Sequence, residues 1–198
     1  MPASLQIRES ARVRRARIVV AANRPVEVVV PPGTPAAWIE RFVGRHRPWI
    51  ERRQAELAGV PSLGLQRPGV AWLHGQAVPA PSGDATAWYR RQARRELTEI
   101  ARSEGERLGL TGWSRIRIGD QRSRWGSCSS RGTLSFSWRL VLAPRWVAEY
   151  VVVHELCHLR HMDHSPRFWR LVDHALPHRR RAQAWLRLHG AELQAYRP

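Results

Sequence analysis

Residues 147–164 read VAEYVVVHELCHLRHMDH, an apolar stretch that runs directly into a cluster of histidines. In a helix, residues three and four positions apart share one face, so Val147, Val151, His154 and His158 form one stripe. An apolar stripe of this kind faces the core of a protein. Imidazoles that continue the stripe need a polar partner there, because burying an unpartnered polar group is costly. A metal ion is one such partner.

The spacing of the polar residues in this stretch predicts a catalytic zinc site. His154 and His158 are one helical turn apart, which suits two ligands of one tetrahedral ion. Glu155 would lie beside the ion, where a general base for a metal-activated water is needed. The Ser165–Pro166 pair predicts a new helix, so the chain can turn before it and return His164 as the third ligand. Three imidazoles leave one position open, whereas structural zinc sites usually have four protein ligands.

Three further residues of the cluster have simpler predicted roles. His161 falls where the helix must turn, and we expect it in the turn or hydrogen-bonded behind a ligand. Asp163 is either an acceptor that orients a ligand imidazole or an exposed turn residue. Cys157 is predicted to be a small core residue. Two alternatives to a catalytic site remain: a structural zinc ion, and a metal-free helix end whose histidines interact with the helix dipole.

The N-terminal part of the chain is predicted to be rich in β-structure. Residues 12–20 and 26–30 are β-rich runs that read as a hairpin. Thr34 as N-cap predicts a helix over residues 35–57, with a break near Pro48. Its predicted buried face consists of Trp38, Phe42, Trp49 and Ile50. Residues 59–69 contain several glycines and prolines and read as a connector.

The remainder alternates between strands and helices. A short hairpin is predicted around His74–Gly75, followed by a helix over residues 85–108 with Asp84 as its cap and Gly109 at its end. Three strands are then predicted as an antiparallel meander: 114–120, 121–128 and 133–142. Three helices follow: one from Pro144 to about His161, one over residues 167–175, and one over about 178–189. This order predicts an α+β fold with an N-terminal subdomain, residues 1–82, and a zincin-like domain, residues 83–198.

Two segments resemble a known protein family. Residues 121–144, QRSRWGSCSSRGTLSFSWRLVLAP, and residues 151–169, VVVHELCHLRHMDHSPRFW, resemble the YgjP-like metal-dependent hydrolases. Residues 14–50 also resemble the N-terminal hairpin and helix of that family. The C-terminal half is more distantly similar to WLM and SprT-like peptidases. The resemblance implies zinc on His154, His158 and His164 with Glu155 as base, although the chain has His161 where metzincin peptidases have glycine.

The composition points to a soluble, strongly basic protein. The formal net charge is +17, and all 33 basic residues are arginine. Such a charge favours association with polyanions such as nucleic acid or nucleotides. Two cysteines do not form a disulfide framework, and no apolar run has the length of a signal peptide or a membrane span. We therefore expect a cytoplasmic protein that is not bound to a membrane.

The favoured function is a zinc peptidase acting on a protein or peptide. The RWGSC segment is expected to form the wall of its cleft, with Arg124, Trp125, Gly126 and Arg139 as candidate substrate-binding residues. A second hypothesis is a metal-dependent nucleotide phosphoanhydride hydrolase. It rests on an acid-free stretch with five arginines that could bind phosphate: Arg122, Arg124, Arg131, Arg139 and Arg145. Further hypotheses are a DNA-associated peptidase and a nucleic-acid-binding module with a structural metal.

Overall fold

The computed structural model describes residues 5–22, 24–121 and 123–198. The chain divides into two compact units, one formed by residues 1–63 with 187–195 and the other by residues 64–186 with 196–198. The first division falls within the connector that the sequence predicts at residues 59–69. The predicted boundary between residues 82 and 83 stays a prediction. Within the described residues, no helix has the length and apolar character that crossing a membrane requires.

A three-stranded sheet and one long helix, α1 (Ala36–Leu57), build the first unit. The sheet has the order β1 (Leu5–Glu9), β3 (Val26–Val30), β2 (Arg17–Val19). The antiparallel pairing of β2 with β3 confirms the predicted hairpin, in shorter form. Strand β1 was not predicted, and it pairs parallel to β3. No local turn signal accompanies a parallel pair, because the two strands are not joined by a tight turn.

Helix α1 differs from its prediction at two points. It begins at Ala36 with Pro35 as N-cap, and the hydroxyl of Thr34 donates to the carbonyl oxygen of Pro31 instead of capping the helix. The predicted break is wrong, since α1 continues through Pro48. Ile39, before the proline, and Ile50, after it, are both buried, so packing holds the two halves in one helix. Of the predicted buried face, Ile50 is buried, Trp38 and Phe42 are half-buried and Trp49 is exposed.

The second unit begins with elements that match their predictions closely. Strands β4 (Val70–Leu73) and β5 (Gln76–Pro79) form the expected hairpin around His74 and Gly75. Helix α2 (Ala85–Leu108) has both predicted ends. A carboxylate oxygen of Asp84 accepts the backbone N–H of Ala87 at 3.0 Å, and Gly109 ends the helix with φ of 64°.

The central sheet of this unit is mixed, not the predicted antiparallel meander. Its order is β6 (Arg115–Gly119), β8 (Thr133–Ser137), β7 (Gly126–Cys128). Strand β6 is parallel to β8, whereas β7 is antiparallel to β8 and lies at the sheet edge. The predicted third strand ends at Ser137, and residues 138–142 form a fully buried 3-10 turn. The predicted alternation between core-facing and solvent-facing residues therefore stops at Ser137, because all five residues of the turn are buried.

Three helices follow and confirm the α+β class, and the last of them ends within residues 187–195, which belong to the first unit. Helix α3 (Arg145–Cys157) ends four residues earlier than predicted, α4 (Pro166–Ala175) has the predicted Ser165 cap, and α5 (Arg179–Ala195) continues past the predicted end at Gly190. Nine of the thirteen residues of α3 are buried. This helix positions the histidine cluster.

Candidate metal centre

Helix α3 and the turn after it bring the three predicted ligands together. His154 lies in the last turn of α3, and His158 follows as its C-cap. The chain then turns before α4, and this returns His164 to within 3.1 Å of His154, measured between the two Nε2 atoms. One ligand atom from each of His154, His158 and His164 lies within 4.8 Å of the others.

A hydrogen bond orients one of the three imidazoles. Nδ1 of His158 lies 2.9 Å from the carbonyl oxygen of His161. A carbonyl oxygen only accepts, so Nδ1 carries the proton and Nε2 keeps its lone pair. Partners of this kind fix the tautomer and orientation of metal-ligating histidines. His161 thus has the turn role that its position suggested. Asp163 instead accepts the backbone N–H of Ser165, at 3.4 Å, just before α4.

The donor set fits a zinc ion. Two nitrogens that each lie 2.0–2.1 Å from a tetrahedral ion are about 3.3 Å apart, close to the 3.1 Å between Nε2 of His154 and of His164. Nε2 of His154 is thus the nitrogen that faces the other ligands, and Nδ1 is buried without a hydrogen-bond partner among the described residues. Burial lowers the pKa of His154 to about 3 and also lowers the pKa of His158, which keeps both rings neutral. Neutral imidazoles are the form that binds metal.

Two aromatic residues of α4 pack against the rings of the histidines. The ring of Phe168 is fully buried and stacks on His158, with centroids 4.4 Å apart. It also contacts His154 and His164, each at 4.9 Å. Trp169 lies against His154 at 5.8 Å and His164 at 5.6 Å. Neither residue was predicted from the histidine spacing, although both lie in the first turn of the helix that Ser165 caps.

The side chain of Glu155 lies between helix α3 and strand β7. Its side chain is almost fully buried, and this burial raises the pKa of the carboxyl to about 7, against the opposing effects of the Arg124 cation and the backbone N–H of Cys128. The carboxylate accepts a hydrogen bond from that N–H. Glu155 is therefore held by β7, on the helix that carries His154.

Gly126 permits this close approach of β7 to α3. A Cβ atom at position 126 would lie 2.6 Å from Cγ of Glu155 and 2.7 Å from its Oε1. Contacts below 3.0 Å cannot be accommodated without movement. The glycine of the RWGSC segment thus has the predicted role, which is to let the backbone come close to the site.

The other candidate substrate-binding residues have different surroundings. Arg124 is exposed, and its charge acts on Glu155. Trp125 is half-buried, and its carbonyl oxygen accepts the backbone N–H of Ser137 at 2.9 Å. Arg139 is only 1% exposed. Its guanidinium pairs with Asp120 and lies 4.3 Å from the ring centre of Trp138, which contradicts a substrate contact.

The arginines that suggested a phosphate site do not surround the histidines. Arg139 is buried, and Arg145 pairs with Glu149 at 3.1 Å and lies 3.6 Å from Glu96. Arg131 is exposed at the turn between β7 and β8. Arg122 lies outside the described residues. Among the described arginines of this set, only Arg124 is linked to the site, through Glu155.

A second polar group beside the histidines was not predicted. The ring of Tyr150 lies 5.9 Å from that of His154, one turn earlier on α3. Its hydroxyl accepts a hydrogen bond from Nε2 of Gln183 at 2.9 Å. Gln183 in turn accepts from Arg179, whose guanidinium lies 4.5 Å from the ring centre of Trp169. This chain of contacts joins α3, α4 and the beginning of α5 beside the ligands.

Comparison with known proteins places these observations in a family. Residues 81–189 match the model of the YgjP-like metallopeptidase domain. Among solved structures, the chain is similar to the metallopeptidase zymogen abylysin of Pyrococcus abyssi, with 21% identity and a TM-score of 0.43 over 46% of this chain and 90% of that one. No curated protein sequence matches. The family match covers more than half of the chain and includes all three histidines, and the chain therefore belongs to the YgjP-like metallopeptidases and is a metal-dependent peptidase.

Proposed function

We propose that this protein is a zinc peptidase in which His154, His158 and His164 hold the ion and Glu155 is the general base. The observation that carries the proposal is the convergence of three imidazole nitrogens within 4.8 Å of one another, with a buried carboxylate on the residue that follows His154. Three nitrogen ligands are typical of catalytic zinc, which keeps one position open for water or substrate. When bound, the ion supplies Lewis-acid chemistry, since it acidifies a water molecule and polarises a carbonyl group.

We propose that Glu155 moves the proton of the attacking water. Its carboxylate is held by the backbone N–H of Cys128, and Gly126 keeps the strand close behind it. A side chain fixed on both sides loses little further freedom when the reaction proceeds. We therefore assign to Glu155 the removal of the proton from water and its return to the leaving amine.

Strand β7 offers a binding edge for an extended peptide. Among the described strands it pairs with β8 alone, so its other edge has no strand partner, although the backbone N–H of Cys128 is already bonded to Glu155. Substrate backbone can add to such an edge through main-chain hydrogen bonds. Arg124 lies two residues before β7, is exposed and has no hydrogen bond or ion pair within the described residues. We propose that its guanidinium binds a carbonyl or carboxylate of the substrate beside the scissile bond.

Metal content and peptidase activity test the proposal together. We expect one zinc per chain in the wild type by mass spectrometry, and we expect loss of zinc in His164→Ala. The matched control is His174→Ala, because His174 is exposed on α4 and is not part of the cluster. Glu155→Gln should retain zinc but lose cleavage of an unfolded protein substrate.

The outcomes separate the parts of the proposal. Zinc retained in His164→Ala would show that the third ligand lies elsewhere. Full cleavage by Glu155→Gln would remove the general base from the mechanism. A metal other than zinc that binds the same three histidines and supports cleavage would correct only the identity of the ion.

A further inference from the structure

A cavity of about 540 Å³ lies in the first unit, remote in sequence from the metal ligands. It opens between three elements: the connection from β1 to β2, the connection from β3 to α1, and the first two turns of α1. Its lining consists of Arg14, Arg15, Ala16, residues 31–35, Trp38 and Phe42. Ligand pockets of proteins commonly have volumes of 300–1,000 Å³.

The aromatic part of the cavity lining is held in place by the buried core of the first unit. Trp38 and Phe42 are one turn apart on α1, and their rings are parallel within 11° with centroids 5.0 Å apart. Both rings pack against the buried cluster of Val28, Val30 and Ile39. Each ring is only half-buried, so part of it faces the cavity. A ligand would therefore meet an aromatic surface whose ordering costs little on binding.

Another part of the lining is cationic. Arg14 and Arg15 are exposed, and within the described residues neither has a hydrogen bond or an ion pair. The segment from Ser10 to Pro25 has five arginines and no acidic residue. Helix α1 also begins at the cavity without a capping side chain or an acidic residue in its first turn, so its dipole adds positive potential. The cavity thus combines an aromatic surface with unneutralised positive charge.

These two features fit a nucleotide better than a peptide. An aromatic base stacks on such a surface through its face, and guanidinium groups bind phosphate through two hydrogen bonds. An extended peptide requires backbone donors and acceptors along its length. Three of the lining residues, Pro31, Pro32 and Pro35, have no N–H group to donate.

We propose that this cavity binds a nucleotide unit, with its base stacked on Trp38 and its phosphate held by Arg14 and Arg15. The unit is supplied either by a single-stranded nucleic acid or by a free nucleotide. This site is independent of the peptidase centre, because it shares no residue with that centre and stands whether or not zinc is bound.

Binding of a labelled oligothymidylate of about ten nucleotides to the full-length protein tests the aromatic half of the site. Trp38→Leu should weaken binding about tenfold, the loss expected for one base–aromatic stack. Trp38→Phe keeps a ring and should retain most of the affinity. The matched control is Trp49→Leu, which removes an exposed tryptophan from the same helix outside the cavity and should leave affinity unchanged. Circular dichroism and thermal melting confirm that each variant is folded.

The cationic half is tested by salt dependence. Arg14→Gln with Arg15→Gln should reduce the slope of log affinity against log salt by about 0.7 for each lost phosphate contact. Arg41→Gln with Arg45→Gln has the same net charge and lies outside the cavity, so it should have a much smaller effect. Equal losses in the two double variants, or no effect of Trp38→Leu, would overturn the proposal, since binding would then be diffuse attraction.

Competing ligands identify the source of the nucleotide. Thymidine monophosphate that displaces the oligonucleotide, with an affinity that depends on Trp38, indicates a free nucleotide. An oligonucleotide that binds much more tightly than the monophosphate indicates a nucleic acid strand. An acidic proline-rich peptide that binds through Trp38 while neither nucleotide ligand binds would overturn the proposal and assign the cavity to peptides.

Discussion

Gly126 and Glu155 illustrate how a single missing side chain determines the geometry of a site. The space that a methyl group would occupy at position 126 is filled by the Glu155 side chain. Residue type at 126 therefore controls where the carboxylate lies relative to His154, although residue 126 itself contributes no reactive group. A residue without a side chain can in this way be as necessary to a site as a ligand.

Gly126→Ala should lower kcat about 100-fold while zinc content is preserved, because a displacement of about 1 Å is enough for such a loss. The added methyl group must push Glu155 aside, whereas the three histidines are not in its way. Gly44→Ala is the matched control, since a Cβ at position 44 meets no atom within 4 Å, and it should stabilise helix α1 by up to about 1 kcal/mol. Steady-state kinetics and metal analysis make the measurement. Unchanged kcat in Gly126→Ala would contradict the assigned position of Glu155.

Arg139 stabilises the fold. In the sequence it alternates with apolar residues, which suggested an exposed position, but in the structure it is buried. Replacing it by methionine should lower the free energy of unfolding by about 2–3 kcal/mol, because Asp120 loses its ion pair with the guanidinium and the carbonyl of Tyr196 loses a donor. KM for a peptide substrate should not change. Arg131→Met, at an exposed position, should stay within about 0.5 kcal/mol of wild type. Chemical denaturation gives both values, and a raised KM with unchanged stability would restore Arg139 as a substrate contact.

At the scale of elements, local signals decided most of what was predicted correctly. Helix α2 has both of its predicted ends, because Asp84 and Gly109 act on backbone groups only a few residues away. The β4–β5 hairpin follows from its two-residue turn, and α4 follows from Ser165. The errors include pairings between distant segments, such as β1 with β3 and β6 with β8. Parallel pairs leave no short turn in the sequence that could reveal them.

The stability that charge contacts between elements contribute is also predicted to depend on pH. Glu96 on α2 accepts hydrogen bonds from Arg95 and lies 3.6 Å from His74, beyond β4, and 3.6 Å from Arg145 on α3. The hydrogen bond from Arg95, aided by these other charges, lowers the pKa of Glu96 below its ordinary value. A lowered folded-state pKa means that the stabilisation is present above the unfolded pKa, about 4.3, and is lost as pH falls through the folded value.

Glu96→Gln should therefore be destabilising by about 1 kcal/mol at neutral pH, and the difference from wild type should shrink below about pH 4. Urea denaturation of both proteins across this pH range measures the difference. Glu99→Gln, on the same helix, is the control for loss of one negative charge. A difference that grows as pH falls would have the wrong sign and would reject these contacts as the cause.

For the whole molecule, the metal is expected to link the helices of the second unit. Its ligands come from α3 and from the turn before α4, so a bound ion joins two segments that the unfolded chain holds apart. Binding to the folded state alone raises stability by mass action. We therefore expect the three proposed ligands to serve both catalysis and stability.

Removal of the ion should lower the melting temperature, and zinc at about 100 times its dissociation constant should restore about 2.7 kcal/mol. Thermal melting with a chelator, with and without added zinc, measures this effect. His164→Ala should melt at the same temperature in both conditions, because its site is incomplete. A chelator effect of equal size in that variant would mean that the stabilising metal is bound elsewhere.

The sequence by itself determined the chemistry of this protein: the spacing of His154, Glu155, His158 and His164 within one helix and one turn is a local property, and so are the caps that end the helices around them. The tertiary structure alone decided what surrounds that chemistry. Strand order placed β7 against Glu155, burial removed Arg139 from the candidate substrate contacts, and the packing of α1 on its sheet left Trp38 at a cationic cavity. Helical spacing acts between neighbours along the chain, whereas burial depends on segments that meet only after folding.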